Sequence, residues 1–315
     1  MTGGRRAAVA WALNLDCEAQ LQFGASYTRG PAVREGIERA TKTLRAMGLV
    51  AEDDLIVDPD RDPDTAVPST HEGMRGVAWC PTPQALEALE AAGARCPAAP
   101  TPDVLRRVNA RAFGVRFEAE LAHAPTSELH ASFGAQMVYD MQQLREAVDL
   151  LAPGPVLLKR ELSFAGRGHR RLFAAFDEAD GRWASNSFVD DLGLVCEPYV
   201  DRVADYALHG WVSAAGQVRL GRPTLQRCDP KGVWQSSEPA PRVGALALSN
   251  IESTTLHETA EAGASALHDA GYFGPFGIDA FRWREGDRDR FRPFVELNAR
   301  YSMGWAASGL ALDAW

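Results

Sequence analysis

The sequence lacks several features that mark specialised classes of protein. Its five cysteines show no CxxC spacing and its seven histidines no HExxH pattern, so it offers neither a zinc motif nor a disulfide framework and fits a reducing compartment. No apolar run approaches the roughly 18 residues that cross a bilayer. The net charge is −9 and there is no basic block to meet a nucleic-acid backbone. We therefore expect a cytoplasmic protein with no membrane and no nucleic-acid partner.

Lysine is also scarce. It occurs only at positions 42, 159 and 231, although lysine and arginine together number 33. Lys159 follows three apolar residues in VLLKRE and so lies on a predicted buried strand. An ammonium group is costly to bury unless it is paired. We therefore expect the chain to use the chemistry of this lysine.

The chain is long enough for two or three domains, with 315 residues of which 46% are hydrophobic. Strands predicted at 7–13, 55–58 and 76–80 alternate with helices predicted at 31–49 and 82–92. This order favours a small parallel α/β domain. The first segment also resembles a twin-arginine or lipoprotein signal, but its apolar run is short for one, which favours a buried strand. Proline-rich CPAAPTPD (96–103) predicts a boundary.

The remainder predicts a mixture of helices and strands. Helices are expected at 104–113, 141–151 and 253–270, the last with a capping box formed by Thr255 and Glu258, whereas 114–140 has no clear pattern. Strands are expected at 156–161, 170–176, 194–200, 205–212, 217–223 and 274–284, and in the segment 291–304.

The last of these segments, FRPFVELNARYSMG, carries three polar side chains on one face, because alternate residues of a strand point the same way: Glu296, Asn298 and Arg300. A hairpin centred at 287–288 would place Asp279 directly opposite Glu296. Two apposed carboxylates and an amide oxygen are ligands that Mg²⁺ takes while it also holds phosphate oxygens. A register shifted by one, with Asp279 paired to a surface arginine, is the alternative.

A glycine-rich turn, LSFAGRGH, joins the Lys159 strand to the next strand. Glycine lets backbone N–H groups approach an anion closely. The turn is not a Walker A loop, because it has no GK[ST] and a strand follows it. It predicts a flap that covers phosphates. Further on, CEPYV ends a buried strand at a proline and can present backbone groups to an adenine edge; a sheet edge with a surface acid at Asp205 is the alternative.

These segments occur in the order of the motifs of the ATP-grasp superfamily of carboxylate–amine ligases, which includes D-alanine–D-alanine ligase, biotin carboxylase and carbamoyl-phosphate synthetase. FVELNARYS resembles the E-x-N-x-R-x-S form of its metal strand, VLLKRELSFAGRGH its lysine strand and phosphate loop, and CEPYV its adenine hinge. The resemblance covers residues 101–304. It implies a fold of mixed α/β and α+β class, in which a pre-ATP-grasp α/β domain (1–100) precedes an ATP-grasp fold with subdomains at 101–200 and 201–315 and nucleotide bound between two sheets.

The resemblance also implies roles for particular residues. The nucleotide phosphates would be met by Lys159, by Arg111 in place of a first phosphate lysine, and by the flap residues Ser163, Gly166 and Gly168. Lys231 would reach the γ-phosphate or else lie in a surface turn. The adenine edge would meet Glu197, Tyr199 and Val200, and the ribose Asp205. Mg²⁺, or Mn²⁺, would bind Asp279, Glu296 and Asn298. The catalytic residues would be Lys159 and Arg300, the latter stabilising negative charge on an intermediate.

The implied activity is that of a ligase. ATP would activate a carboxylate as an acyl phosphate, and an amine would displace the phosphate to give an amide. The partners would be small carboxylates and amines, and a homodimer is left open. Two alternatives remain: an activator of the carbamoyl-phosphate or carboxyphosphate type, and a catalytically inactive ATP-binding protein. No catalytic base is evident, since His169 beside the flap is interpreted as a surface residue.

Overall fold

The computed structural model describes residues 6–58, 73–122, 133–163, 168–173, 176–189, 191–229 and 234–312. The predicted site residues Gly166 and Lys231 lie outside these ranges. The helices are α1 (Cys17–Phe23), α2 (Pro31–Ala46), α3 (Pro83–Ala91), α4 (Pro102–Asn109), α5 (Arg111–Ala122), α6 (Met141–Leu151), α7 (Glu178–Ser185), α8 (Asn250–Asp269) and α9 (Trp305–Ser308). The strands are β1 (Val9–Ala12), β2 (Leu55–Val57), β3 (Arg75–Ala78), β4 (Gln136–Val138), β5 (Val156–Arg160), β6 (His169–Leu172), β7 (Leu194–Pro198), β8 (Arg202–Val212), β9 (Val218–Leu220), β10 (Thr224–Cys228), β11 (Trp234–Pro239), β12 (Gly274–Glu285) and β13 (Arg288–Asn298).

The first sheet is parallel, in the order β2-β1-β3, which confirms the predicted α/β unit. Every residue of β1 is buried, because both faces of this sheet are covered. Ala10 and Ala12 pack with Leu89 of α3. Trp11, on the opposite face, packs edge-on against Tyr301 with ring centroids 5.4 Å apart. The first sheet and the chain segment after β13 therefore share one core.

The central sheet is antiparallel, in the order β11-β10-β8-β12-β13, with β9 also paired to β8. Helix α8 packs on β8, β12 and β13. The side chains of Ser249 and Glu252 form its capping box, so the predicted box at Thr255 was wrong. Thr255 lies inside the helix and is 2% exposed. Both pairs have the same S/T-x-x-E spacing, and the structure uses the earlier one.

The third sheet, β4-β7-β5-β6, is antiparallel and has a core of its own with α6 and α7, built on Leu144, Val156, Leu158 and Leu194. The helix predicted over 104–113 is instead two helices, because the backbone of Ala110 is extended between α4 and α5. Both α4 and α5 pack against β13. Within the described residues, no helix is long and apolar enough to cross a bilayer.

Candidate functional site

The hairpin of β12 and β13 places Asp279 directly opposite Glu296, which confirms the predicted pairing. The turn itself lies one residue earlier than predicted, since Glu285 pairs with Arg288. A bulge between the turn and the site corrects the register by the time the strands reach Asp279: residues 293–295 of β13 lie opposite the single residue Ala280. Because this shift is two residues, it leaves every side chain on its face of the sheet.

Asp279 is surrounded by neutral donors and a second carboxylate. Its oxygens accept hydrogen bonds from Gln226 Nε2 at 2.8 Å and from Asn298 Nδ2 at 3.2 Å. Burial, followed by the charge of Glu296, raises its pKa to about 6. Gln226 lies on β10 opposite Asp205, and sequence analysis did not single it out.

Glu296 differs from its neighbour because cations face it. Arg111 Nη2 lies 2.9 Å from Glu296 Oε1. Although burial acts to raise its pKa, Arg111, Lys159, His169 and Arg300 together lower it. The two carboxylates therefore sit in opposite electrostatic environments although they pair directly.

The donor set fits a hard divalent cation. Asp279, Glu296 and the amide oxygen of Asn298 supply oxygen ligands of the kind that Mg²⁺ takes, and burial together with the second carboxylate raises the pKa of Asp279. No group of three or more His, Cys, Asp or Glu residues suited to a metal occurs among the described residues. A cation at this site would thus depend on the amide and on ligands from outside the chain.

Lys159 belongs to a buried ionic chain. It is 3% exposed, and its Nζ lies 2.6 Å from Glu197 Oε1. The other oxygen of Glu197 accepts from Arg292 Nη1 at 3.0 Å, and Arg292 also holds Glu118 at 2.7 Å. Burial lowers the pKa of Lys159. Burial acts to raise the pKa of Glu197, but its two cations lower it to about 2. Sequence analysis missed Arg292 and Glu118.

Arg111 connects the flap to the metal strand. Its Nη1 donates to Ser163 Oγ at 2.7 Å and to the carbonyl of Arg160, while Nη2 reaches Glu296. Gly168 lies close to the same serine, since a Cβ added at Gly168 would lie 2.4 Å from Ser163 Oγ. Arg111, Ser163 and Gly168 are therefore brought together, as predicted for residues that surround phosphates.

His169 is not the surface residue that was expected. It pairs with Lys159 across β5 and β6, and its Nε2 is shielded from solvent with no hydrogen-bond partner among the described residues. Burial, followed by the positive charges of Arg111 and Lys159, lowers its pKa to about 3. The imidazole is therefore neutral at physiological pH and faces the site.

The hinge and ribose candidates lie on β7, on β8 and in the link between these two strands. The backbone N–H of Tyr199 donates to Pro155 O at 2.8 Å, and Val200 is partly buried. Asp205 forms an ion pair with Arg202 at 2.9 Å. The neighbouring strands place Asp205 opposite Gln226, on the Asp279 face of the sheet.

A cavity of about 20 Å³ marks where the two antiparallel sheets meet. Its lining includes Lys159 and Glu197 from one sheet, Glu296 and Arg292 from the other, and Arg111 from α5. The predicted phosphate residues Lys159 and Arg111 and the predicted metal residue Glu296, from distant parts of the sequence, thus converge on one cleft between the sheets.

Arg300 lies beyond the end of β13 and forms an ion pair with α1, the helix that follows β1. Its Nη2 is 2.6 Å from Oε1 of Glu18 on α1. Burial acts to lower the pKa of Arg300, but the charge of Glu18 outweighs burial, so the net pKa is raised. The guanidinium is therefore always charged. Arg300 also lowers the pKa of Asp279 and of Glu296, which places it within electrostatic reach of the metal candidates.

No family model and no curated protein matches this sequence, but solved structures match its fold. Biotin carboxylase from Campylobacter jejuni, in a β,γ-ATP complex, has a TM-score of 0.57 and 15% identity over 96% of this chain and 67% of its own. N5-carboxyaminoimidazole ribonucleotide synthetase from Thermus thermophilus has a TM-score of 0.52 and 17% identity over 93% and 72%. The Staphylococcus aureus synthetase complexed with ADP has a TM-score of 0.52 and 11% identity over 95% and 72%.

These similar proteins are ATP-grasp enzymes. The chain therefore has the fold of these enzymes, which confirms the mixed α/β and α+β fold class that the motif order implied. The roles of the individual site residues and the exact domain boundaries at 100 and 200 stay predictions.

Proposed function

We propose that this protein is an ATP-dependent ligase that activates a carboxylate as an acyl phosphate and joins it to an amine, with release of ADP and phosphate. One observation carries the proposal: Asp279 and Glu296 face each other across the hairpin, and the same cleft contains Lys159 and Arg111. This pairing of acids for a metal with cations for phosphates is what phosphoryl transfer requires.

The chain's own residues have distinct tasks in this scheme. Lys159 and Arg111 bind phosphate oxygens and offset their charge, in exchange for their present carboxylate partners. Neutral His169 presents an Nε2 that has no partner and can donate or accept one hydrogen bond at the phosphates. Ser163 and Gly168, the described ends of the predicted flap, lie beside Arg111 and would take part in excluding water, which would otherwise hydrolyse an acyl phosphate. Glu197, Tyr199, Val200 and Asp205 bound the region proposed for adenosine.

Asp279, Glu296 and Asn298 would hold Mg²⁺, which neutralises phosphate charge and orients the γ-phosphoryl group when bound. Asp279 is the ligand that gains most, because within the described ranges its carboxylate lacks the close cationic partner that Glu296 has in Arg111. Arg300 would stabilise negative charge that develops on the activated carboxylate.

A second candidate function is activation of bicarbonate as carboxyphosphate. The solved structures of similar fold are named as carboxylating enzymes, namely biotin carboxylase and the N5-carboxyaminoimidazole ribonucleotide synthetases. Under this candidate, bicarbonate replaces the organic acid, and the remaining tasks of Lys159, Arg111 and Arg300 are unchanged.

The test is ADP release by the purified full chain in Mg²⁺ and ATP, measured across panels of carboxylic acids and amines, with and without bicarbonate. Turnover that needs both an organic acid and an amine supports the ligase. Turnover stimulated by bicarbonate without an organic acid overturns it in favour of the second candidate. ATP binding without turnover in any arm supports an inactive ATP-binding protein.

A matched pair of variants assigns the activity to this cleft. Glu296→Gln keeps the shape of the side chain but removes a proposed ligand, and we expect loss of turnover. Glu252→Gln removes a carboxylate that is similarly buried and ion-paired, to Arg282 at 2.7 Å, on α8 away from the cleft. We expect the Glu252→Gln protein to keep its turnover. Equal loss in both variants would contradict the site assignment.

A further inference from the structure

Arg300 is held by a carboxylate from the other end of the chain. Its Nε lies 2.7 Å and its Nη2 2.6 Å from Glu18 Oε1. The side chains of Arg300 and Glu18 are only 13% and 6% exposed. Glu18 follows β1 of the parallel sheet, on α1. A residue of the first sheet's α/β unit thus directly contacts a residue assigned to the chemistry of the last strand.

The backbone on both sides of Arg300 is anchored as well. The amide of Ala299 donates to Asn109 Oδ1 at 3.0 Å, and Asn109 Nδ2 donates back to Ala299 O at 3.4 Å. The amide of Tyr301 donates to Trp79 O, just after β3, at 3.0 Å. These bonds fix the main chain at 299 and 301. The Nη1 of Arg300 donates to the carbonyl of Tyr301 at 3.1 Å, and the other two guanidinium nitrogens are held by Glu18.

The proposed metal carboxylates, Asp279 and Glu296, are competing partners for this side chain. Arg300 already lowers the pKa of both Asp279 and Glu296, so its guanidinium is attracted towards them. A guanidinium that paired with either acid would occupy oxygens that the proposed metal needs. Glu18 binds the guanidinium instead, and a bound, oriented cation is pre-organised for charge that develops in a transition state.

We propose that Glu18 is a positioning residue of the active site: it orients Arg300 and keeps it away from the metal carboxylates. The inference rests on the proposed function for its catalytic consequence. It makes the first α/β unit a part of the site rather than a separate support, because the Glu18 carboxylate would act on the site through Arg300.

Glu18→Gln tests the proposal, because glutamine keeps the size of the side chain but loses its charge. We expect kcat for ADP release to fall at least ~10-fold while the KM for ATP stays within about threefold of the parent value. Glu18→Asp, which keeps the carboxylate, is expected to recover part of kcat and serves as the readout if the glutamine variant folds poorly. The matched control is Glu252→Gln, which breaks a comparable buried ion pair and should leave kcat nearly unchanged.

A double variant separates positioning from independent contributions. If Glu18 acts through Arg300, the double variant Glu18→Gln with Arg300→Gln should be no slower than Arg300→Gln alone. Multiplied losses, or an unchanged kcat in Glu18→Gln, would overturn the proposal. If the wild-type protein shows no turnover with any substrate, the proposed function fails, but a crystal structure of Glu18→Gln still decides the positioning: an unmoved Arg300 guanidinium overturns it, and one shifted towards Asp279 or Glu296 supports it.

Discussion

Replacement of Asp279 by asparagine should make the metal-free protein more stable while it abolishes turnover. Asp279 receives hydrogen bonds from two neutral amides, Gln226 and Asn298, and faces the carboxylate of Glu296. Burial and this second carboxylate raise its pKa from 3.8 to about 6. Above pH 6 the folded protein therefore carries a charge that its surroundings disfavour.

The size of the effect follows from the pKa difference. One pKa unit corresponds to about 1.4 kcal/mol, so the rise from 3.8 to about 6 corresponds to about 3 kcal/mol. Solvent screening of a partly exposed carboxylate reduces this, and we expect about 1–3 kcal/mol. Between pH 3.8 and 6 the folded state binds the proton more tightly than the unfolded state, so the free energy of unfolding falls as pH rises through that window. The Asp279→Asn protein should escape this loss.

Urea denaturation in EDTA, followed by circular dichroism, measures the difference. At about pH 7.5 the Asp279→Asn protein should have the larger free energy of unfolding, and at about pH 4 the advantage should largely disappear. Asp54→Asn is the control with the opposite expected effect. Burial acts to raise the pKa of Asp54, but hydrogen bonds from Arg6, Val9 N and Ala51 N lower it. Loss of this carboxylate should therefore reduce the free energy of unfolding. An Asp279→Asn protein that is less stable near neutral pH, or whose advantage persists in acid, would refute the reasoning.

Three further predictions concern other residues. Burial lowers the pKa of His209 from 6.5 to about 4, so protonation of His209 opposes folding. As the pH falls through that window, the free energy of unfolding of the wild type should fall by up to about 3 kcal/mol. In a pH–stability curve measured with urea, His209→Gln should flatten that part of the curve. Gly193→Ala should lower stability by about 1–3 kcal/mol in thermal unfolding, since its Cβ would lie 2.6 Å from Val138 O; Gly30→Ala, with nothing within 4 Å, should change little. Lys159→Met should reduce ADP release about 10²–10³-fold; turnover close to that of the wild type would remove the phosphate role of this lysine.

The pairing of Asp279 with Glu296 in the β12–β13 hairpin was predictable because local sequence determines it. Strand alternation fixes which side chains share a face, and a short turn limits the possible registers. The predicted turn was one residue late, and the irregularity opposite Ala280 restored the predicted pairing at Asp279 and Glu296. The only local sign of that irregularity is Pro293, which cannot donate to a ladder.

Contacts between distant segments could not be predicted in the same way. Arg292 binds Glu118, 174 positions away, and Arg300 binds Glu18, 282 positions away. Such pairs depend on how α5 packs against the central sheet and α1 against α4, and an arginine on a strand is equally typical of an exposed surface. His169 illustrates the same limit, because only the packing of the two sheets shows that its ring faces the site.

The ionic pairs of the cleft suit the proposed binding of both a polyanion and a metal. Lys159 is paired with Glu197, which keeps a second cation in Arg292, so Lys159 can turn to a phosphate without leaving a buried carboxylate unpaired. Arg111 is paired with Glu296, and a metal ligated by that carboxylate would release Arg111 towards the phosphates. Breaking a buried pair is costly when one charge is stranded. Each exchange here provides a substitute partner, so metal and nucleotide are expected to favour each other's binding through these residues.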